Sequence, residues 1–438
     1  MIQVKRLLII PLLIIGLVAC QPTAKPVVFP AHVPEWTKDA VIYEVNVRQY
    51  TPEGTFKAFE THLPRLKQMG VDVLWLMPVN PISVKNRKGS LGSYYSVKDY
   101  KAVNPEFGTL DDFKNLVNKA HALGFKVIID WVANHTGWDN HWITEHPDWY
   151  THDEKGNIIP PNPDWSDIAD LNFDSKPMRR AMIEAMDYWV KETNIDGFRC
   201  DVAWGVPQDF WEAATASLDS IKKVYMLAED EDHPGFLNKA FVSNYGWKLH
   251  HLMNDVAQGK KSATDIQKYF TDSVSKYALG TFPLQFITNH DENSWSGSEF
   301  ERMGDAVKTF AALIFTIEGI PLVYSGQEAG LKKRLRFFEK DTIAWNNLEM
   351  QKFYQALIGL KKGNSSLWNG VAGGRMKFVE TSAPQQVLAF MRENDNNQVL
   401  SVFNLSASRL RPTSGWYNRG VIKNIFRERK KGWKRVQS

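Results

Sequence analysis

The stretch Gly197-Phe198-Arg199-Cys200-Asp201 ends a short apolar run on charged side chains. Eight runs rich in β-branched and aromatic residues alternate with longer helix-period segments, and they span residues 41–47, 71–78, 125–131, 195–202, 224–229, 240–244, 284–289 and 320–324. Eight strand-like runs, each followed by a helix or a long loop, predict a closed (β/α)8 barrel. A doubly wound open sheet has the same periodicity. Polar and charged residues at the ends of at least four runs favour the barrel, because its functional face lies at the carboxyl ends of its strands.

Two segments depart from this alternation. Residues 136–169 form an irregular insertion after the third run, and a loop this long inside a compact domain is normally functional or disordered. Its many aromatic side chains favour an ordered loop near the barrel mouth. After about residue 365 the sequence changes to strand-like runs separated by turn residues, which predicts a small all-β domain. We therefore expect an α/β TIM barrel over residues 36–362, with a short loop insertion after strand 3, and a C-terminal β domain over residues 363–438.

The composition excludes some classes of protein. The chain has 438 residues, of which 43% are hydrophobic and 23% charged, as in folded globular proteins. Its formal net charge of +4 gives no reason to expect a nucleic-acid partner. Residues 409–438 hold ten Lys and Arg side chains against one acid, so the rest of the chain is mildly acidic. This basic ending is atypical of a β domain, and either a solvated tail or the loss of the last strands would explain it.

The N-terminus reads as an export signal. Lys5 and Arg6 precede an apolar segment over residues 7–19, which is shorter than the about 20 residues that a membrane-spanning helix needs. The following Cys20 completes a sequence that resembles a bacterial lipoprotein box, although an ordinary signal peptide with a chance cysteine remains the alternative. Residues 1–20 are then a signal peptide, Cys20 carries the lipid, and residues 21–35 are a Pro-rich tether. These features predict an exported protein that is lipid-anchored to the bacterial cell envelope, with the outer membrane favoured.

Four run ends carry chemically useful residues, at positions 130–135, 197–201, 227–229 and 288–291. A glycosidase needs one carboxylate that attacks the anomeric carbon and one carboxylic acid that protonates the leaving oxygen. Arg199 and Asp201 are two positions apart on a strand and face the same side, so the guanidinium should keep Asp201 ionised. Glu229 follows an apolar run, and desolvation there favours the protonated form that a general acid needs. His135 and His290 can donate hydrogen bonds to sugar hydroxyls, and Asp291 can accept two.

These motifs resemble those of the α-amylase family, glycoside hydrolase family thirteen, over roughly residues 36–405, and the chain is similar to bacterial lipoprotein α-amylases. The resemblance implies that Asp201 is the nucleophile, Glu229 the acid/base and Asp291 the transition-state stabiliser. It also implies substrate-binding roles for four other residues, namely Tyr95, His135, Arg199 and His290.

The resemblance further implies a structural calcium ion and no organic cofactor. Asn134 and Asp170 match family positions that help to bind calcium, and the carbonyl of Gly205 could contribute a further oxygen; oxygen ligands from separate loops suit this ion. The insertion is short compared with that of many α-amylases, which leaves open whether the set of calcium ligands is complete.

The predicted function is that of a retaining α-glycoside hydrolase acting on starch or maltooligosaccharides by double displacement. A transglycosylase, a trehalose-forming enzyme or an α-1,6-glucosidase would use the same residues, since loops rather than the carboxylates decide among these activities. A non-catalytic glucan-binding surface protein is the alternative from another class. The sequence leaves open the linkage, endo or exo action and the oligomeric state.

Overall fold

Eight parallel strands close into a barrel. The computed structural model of the protein describes residues 30–273, 277, 280–395 and 397–408. Its first ten strands are β1 (Ile42–Val45), β2 (Val73–Leu76), β3 (Lys126–Val132), β4 (His135–Gly137), β5 (Ile168–Asp170), β6 (Gly197–Asp201), β7 (Tyr225–Ala228), β8 (Ser243–Tyr245), β9 (Phe282–Gln285) and β10 (Ile320–Tyr324). All but β4 and β5 belong to the barrel, and Ile42 is in register with both Val73 and Leu322. This closure confirms the predicted barrel and excludes the open sheet.

Helices follow the strands and surround the barrel. They are α1 (Val47–Tyr50), α2 (Phe56–Glu60), α3 (Leu63–Met69), α4 (Leu110–Ala122), α5 (Trp142–Glu145), α6 (Lys176–Thr193), α7 (Gln208–Ile221), α8 (Trp247–Ala257), α9 (Ala263–Ser273), α10 (Glu299–Met303), α11 (Val307–Thr316) and α12 (Glu349–Lys362). The sequence predicts one helix over residues 301–317, and this is wrong. The chain breaks between α10 and α11 because Gly304 adopts a positive φ of 53°.

Local sequence signals fix the elements that lead to the site. Thr109 and Asp112 form a reciprocal capping box that starts α4. Asn194 ends α6 in the left-handed conformation, just before β6. Gly197 begins β6 where the neighbouring backbone is so close that a Cβ would lie 1.9 Å from the carbonyl oxygen of Tyr225. Only glycine permits this approach of β6 and β7, the strands that precede Asp201 and Glu229.

Two apolar layers hold the barrel together. The inner layer fills the barrel with side chains such as Trp75, Leu227 and Leu284, and the outer layer packs the strands against the helices. This filled interior is a packed core rather than a channel. Polar side chains are therefore displaced to the carboxyl ends of the strands.

The insertion after β3 is ordered. β4 and β5 form an antiparallel ribbon that places His135 opposite Asp170. Trp142, Trp149 and Tyr150 are buried in the outer layer, so most of the loop aromatics serve packing. The ribbon holds the loop over one side of the barrel mouth.

A three-stranded antiparallel sheet follows the barrel, as the sequence predicts. Its strands are β11 (Met376–Phe378), β12 (Val387–Asn394) and β13 (Asn397–Asn404). Arg392 of β12 is 1% exposed and donates hydrogen bonds to the carbonyl oxygens of Gly374, Ile317, Leu367 and Trp368. A buried guanidinium with all its contacts to carbonyl groups thus joins the sheet to the end of the barrel.

Several sequence predictions fall outside the described residues. These are the signal peptide and Cys20, most of the tether, and the basic ending from residue 409 onward. Among the residues that are described, no helix combines the length and the apolar character needed to cross a membrane.

Candidate active site

The carboxyl ends of the strands surround a cavity of about 1030 Å3. Five residues singled out in the sequence line it, namely Tyr95, His135, Asp201, Glu229 and Asp291. Arg199 and His290 are fully buried beneath its floor. The structure therefore brings all seven predicted catalytic and sugar-binding residues to one face of the barrel.

Arg199 is the central residue of the buried polar group that lies directly below the cavity. One terminal nitrogen donates to Oδ1 of Asp130 and to Oδ1 of Asp201, each at 2.9 Å. The other terminal nitrogen lies 2.9 Å from Oε1 of Glu229, and Nε donates to the Tyr245 hydroxyl at 3.0 Å. Burial disfavours the charged guanidinium, but the carboxylates of Asp130 and Glu229 raise its pKa above the ordinary value. One guanidinium cation thus contacts three carboxylates.

Because Arg199 is shared, it lowers the pKa of Asp201 less than the sequence suggests. The predicted contact with Arg199 is present, yet burial and the nearby Glu229 raise the pKa of Asp201 well above its ordinary value. Burial also raises the pKa of Glu229, against the opposing effect of Arg199. The contact with Arg199 favours the ionised form of Asp201, as expected, but burial and Glu229 oppose it, and Asp130 shares the same guanidinium. Two adjacent buried carboxyls whose pKa values are both raised titrate as a coupled pair.

Val202 holds Glu229 in place through its backbone. This β-branched residue has a φ of 43°, in the left-handed region where such residues are outliers. Its N–H donates to Oε2 of Glu229 at 2.8 Å. Strained backbone of this kind persists where the surrounding structure imposes it, often at functional sites. Here it lies directly after Asp201 and connects the two carboxyl groups.

A hydrogen-bonded chain supports the opposite side of the floor. The Tyr95 hydroxyl donates to Oδ2 of Asp130 at 3.1 Å and lies 2.6 Å from Nε2 of His290, on which its ring stacks. Nδ1 of His290 is 2.5 Å from Oε1 of Glu44, and Nε2 is 3.4 Å from Asp291. Burial alone would lower the pKa of His290, but the carboxylates of Asp291 and Glu44 raise it to about 9.

His135 presents an unpaired donor to the cavity. Its Nδ1 accepts a hydrogen bond from Asn134 at 3.3 Å, which leaves the proton on Nε2. That Nε2 is buried without a hydrogen-bond partner among the residues described. Burial lowers the pKa of His135 to about 3, so the ring is neutral. A neutral, unsatisfied N–H of this kind suits a sugar hydroxyl.

The three predicted calcium ligands lie at the base of the insertion. Asn134 precedes β4 and its Oδ1 packs so closely on Gly205 that a Cβ there would be 2.4 Å away. Asp170 ends β5, opposite His135 in the ribbon, and burial raises the pKa of its carboxyl. One carboxylate and neutral oxygens from separate segments fit a calcium ion that also keeps water ligands.

Aromatic residues extend the site beyond the predicted set. Trp204 is 56% exposed and Trp295 is 53% exposed, and both line the cavity. The Phe337 ring stacks on Tyr95 with the centroids 6.2 Å apart, and Trp295 packs on Phe337 and Phe338. The sequence offered one signal, a tryptophan three residues after Asp201. Trp295 and the two phenylalanines follow no strand end directly, so position along the chain does not reveal them.

Comparisons with known proteins identify the family to which this chain is similar. The sequence profile of the family described as "Alpha amylase, catalytic domain" matches residues 28–166 and 162–373. Alpha-amylase MalA of Haloarcula japonica is 28% identical over 400 residues, which cover 86% of this chain and 57% of that protein. The chain thus spans little more than half of that relative. Alpha-amylase 3 of Dictyoglomus thermophilum is 25% identical over 460 residues, covering 89% of each chain.

Solved structures agree with the sequence relatives. The crystal structure of a noncanonic maltogenic alpha-amylase from Thermotoga neapolitana superposes with a TM-score of 0.78 at 33% identity, over 84% of this chain and 86% of that one. The barrel fold, the residues below the cavity and these similarities all indicate the same family. The chain belongs to the α-amylase family of glycoside hydrolases.

Proposed function

We propose that the protein is a retaining α-glycoside hydrolase that cleaves α-glucosidic bonds in starch or maltooligosaccharides by double displacement. The observation that carries this proposal is the contact of Asp201 and Glu229 with the same guanidinium, that of Arg199. These contacts, with the Val202 N–H on Glu229, hold the two carboxyls beside one guanidinium, which is compatible with the separation of about 5–5.5 Å found in retaining enzymes. Within such a coupled pair, Glu229 would hold a proton as the acid while Asp201 is ionised as the nucleophile.

In the first step an Asp201 oxygen attacks the anomeric carbon. The proton of Glu229 passes to the glycosidic oxygen as its bond to that carbon breaks. The Val202 N–H fixes one oxygen of Glu229, so the carboxyl cannot rotate away during the transfer. Glu229 then removes a proton from water, and the water oxygen displaces Asp201 from the sugar.

The residues around the pair hold the reacting ring. Asp291 is partly exposed at the cavity wall and can accept hydrogen bonds from two hydroxyls of the ring. Tyr95 supplies an aromatic face, and His135 supplies the unpaired N–H described above. These contacts strengthen as positive charge develops on the sugar, which lowers the barrier.

Cavity size and aromatic content favour an oligosaccharide. Small-molecule sites measure about 300–1,000 Å3, and this cavity of about 1030 Å3 is at the upper end of that range. Trp204 and Trp295 offer exposed stacking surfaces away from the carboxyl pair. A chain of several glucose units would contact them, whereas a single glucoside would not.

Product analysis tests this proposal. Proton NMR of a fresh maltooligosaccharide digest should show the α-anomer first, and initial β-anomer would contradict double displacement. Digests of amylose, pullulan, maltotriose and sucrose would separate hydrolysis of α-1,4 bonds from α-1,6 hydrolysis and from transglycosylation. A protein that binds these glucans and converts none of them would be a binding protein instead.

We also propose a bound calcium ion and a lipid anchor. Asn134, Asp170 and Gly205 would hold the ion at the base of the insertion, where it would join β5 to the loop after β6. Cys20 would carry the lipid, on the basis of the sequence before it. Export and anchoring at the cell envelope would bring the enzyme to glucans outside the cytoplasm.

A further inference from the structure

A buried glutamate of β1 has no role in the scheme so far. Glu44 lies in the first barrel strand and is fully buried. Its Oε1 contacts Nδ1 of His290 at 2.5 Å, while its Oε2 lacks a hydrogen-bond partner among the described residues. A carboxylate in such surroundings is costly unless a charge compensates it. Packing therefore does not account for a glutamate at this position.

The hydrogen bonds around His290 define where its protons lie. The Tyr95 hydroxyl has one proton and donates it to Asp130, so its oxygen must accept from Nε2 of His290. Nδ1 faces the carboxylate of Glu44, which accepts when ionised. Both ring nitrogens then carry protons, and the ring is a cation. The direction of the pKa shift of His290 agrees with this reading.

Charged groups from most of the barrel face this cation. They are Glu44 from β1, Tyr95 from the loop after β2, Asp130 from β3, Arg199 from β6, Glu229 after β7 and Asp291 beside His290 itself. Arg199 opposes the charge of His290, and the carboxylates favour it. Of these groups, Glu44 is the one that contacts His290 from below and does not reach the cavity.

We propose that Glu44 is a positioning residue that keeps His290 doubly protonated, so that a fixed positive charge stands beside Asp291 and the reacting sugar. This inference rests on the proposed function for its consequence in turnover. The cation forms an ion pair with Asp291 at 3.4 Å and orients the Tyr95 hydroxyl toward Asp130. Without the cation, both contacts to the sugar ring lose their fixed geometry.

The Glu44→Gln variant removes the negative charge of the side chain and keeps its shape. The amide has nearly the same size and can donate to Nδ1, which leaves His290 neutral with its proton on Nε2. Glu299→Gln is the matched control, because Glu299 is also buried but lies on α10 and does not line the cavity. We expect kcat on maltoheptaose to fall about 10–100-fold in Glu44→Gln with little change in KM, the range found for partners that orient functional histidines. The control should keep wild-type kinetics.

The protonation of His290 is measured directly by 15N NMR of the imidazole rings. The chain has 11 histidines, so a His290→Gln variant identifies the resonance. We expect the titration midpoint of His290 to lie above about pH 8 in the wild type and to fall by at least about one unit in Glu44→Gln. An unchanged midpoint, or a lower midpoint with unchanged turnover, would overturn the inference. If Glu44→Gln does not fold, a wild-type midpoint below about pH 7 overturns it and a higher one supports it. A wild type that converts no glucan would instead refute the proposed function, and the NMR midpoint would still stand.

Discussion

Replacing Arg199 with lysine tests the floor of the site most directly. Arg199 contacts three carboxylates through two terminal nitrogens, and lysine offers a single ammonium that cannot span them. The variant should keep one of these contacts and lose two. Charge-assisted hydrogen bonds are worth about 1.5–3 kcal/mol each, so the loss amounts to about 3–6 kcal/mol. If the contacts act in the transition state, kcat/KM falls about 10^2–10^4-fold.

The same substitution should make stability depend on pH. Lysine keeps the positive charge but can contact only one of the three carboxyls, so the pKa values of the other two would rise further in the folded state. A carboxyl whose pKa is higher in the folded than in the unfolded state destabilises the fold as pH rises through that range. Arg199→Lys should therefore lose little stability at about pH 5 and about 3–5 kcal/mol at about pH 8. Urea unfolding at both pH values measures the difference.

Arg392→Lys provides the matched control. Arg392 is equally buried, but its partners are carbonyl groups outside the cavity. Its substitution should lower stability without the additional loss from about pH 5 to about pH 8 expected for Arg199→Lys, and it should leave kcat of the folded protein unchanged. If Arg199→Lys stays within about tenfold of wild-type kcat/KM and unfolds alike at both pH values, the argument from the shared guanidinium is refuted.

Four further substitutions or treatments have defined outcomes. Asp201→Asn should lower kcat on glucans by at least about 10^3-fold while calorimetry still detects maltooligosaccharide binding; turnover near the wild-type rate would remove Asp201 as nucleophile. Val202→Gly should lower kcat because Glu229 is held less firmly, while relief of backbone strain offsets part of the packing lost with the buried side chain; an unchanged kcat would argue against this role of Val202. Chelation by EDTA should lower the Tm of the wild type, and Asp170→Asn should remove this calcium dependence; a Tm indifferent to EDTA would exclude the proposed ion. Labelled palmitate should enter the wild type and not Cys20→Ser, and an unlabelled wild type would refute the anchor.

The strand-like segments of the sequence, and the polar residues at their ends, predicted much of the fold and of the site. The predicted strand at residues 195–202 contains β6, and the helix period in the sequence of residues 109–123 matches α4 within one residue at each end. The barrel followed because strand and helix periods alternate, a property of the local sequence. Asp201 and Glu229 could be found because both sit at strand ends, where a closed barrel brings side chains together.

Features that depend on the closure of the barrel were not predictable in the same way. Glu44 and His290 are separated by 246 positions along the chain, and only the ring of strands brings them into contact. The raised pKa of Asp201 has the same origin, because the burial of its carboxyl and its closeness to Glu229 arise only when β6 and β7 pair in the closed barrel. A sequence motif specifies which groups are present, and the tertiary structure specifies how they share charge.

The junction at Arg392 limits how this enzyme can be shortened. Its guanidinium satisfies carbonyl groups that belong to the segment before β10 and to the turn after α12. Removing the final sheet would take the side-chain donor away from the carbonyls of Ile317 and Trp368, beside the last strand of the barrel. A minimal barrel made by truncation would thus need new partners for them, so the terminal sheet acts as an integral closing element rather than a detachable module.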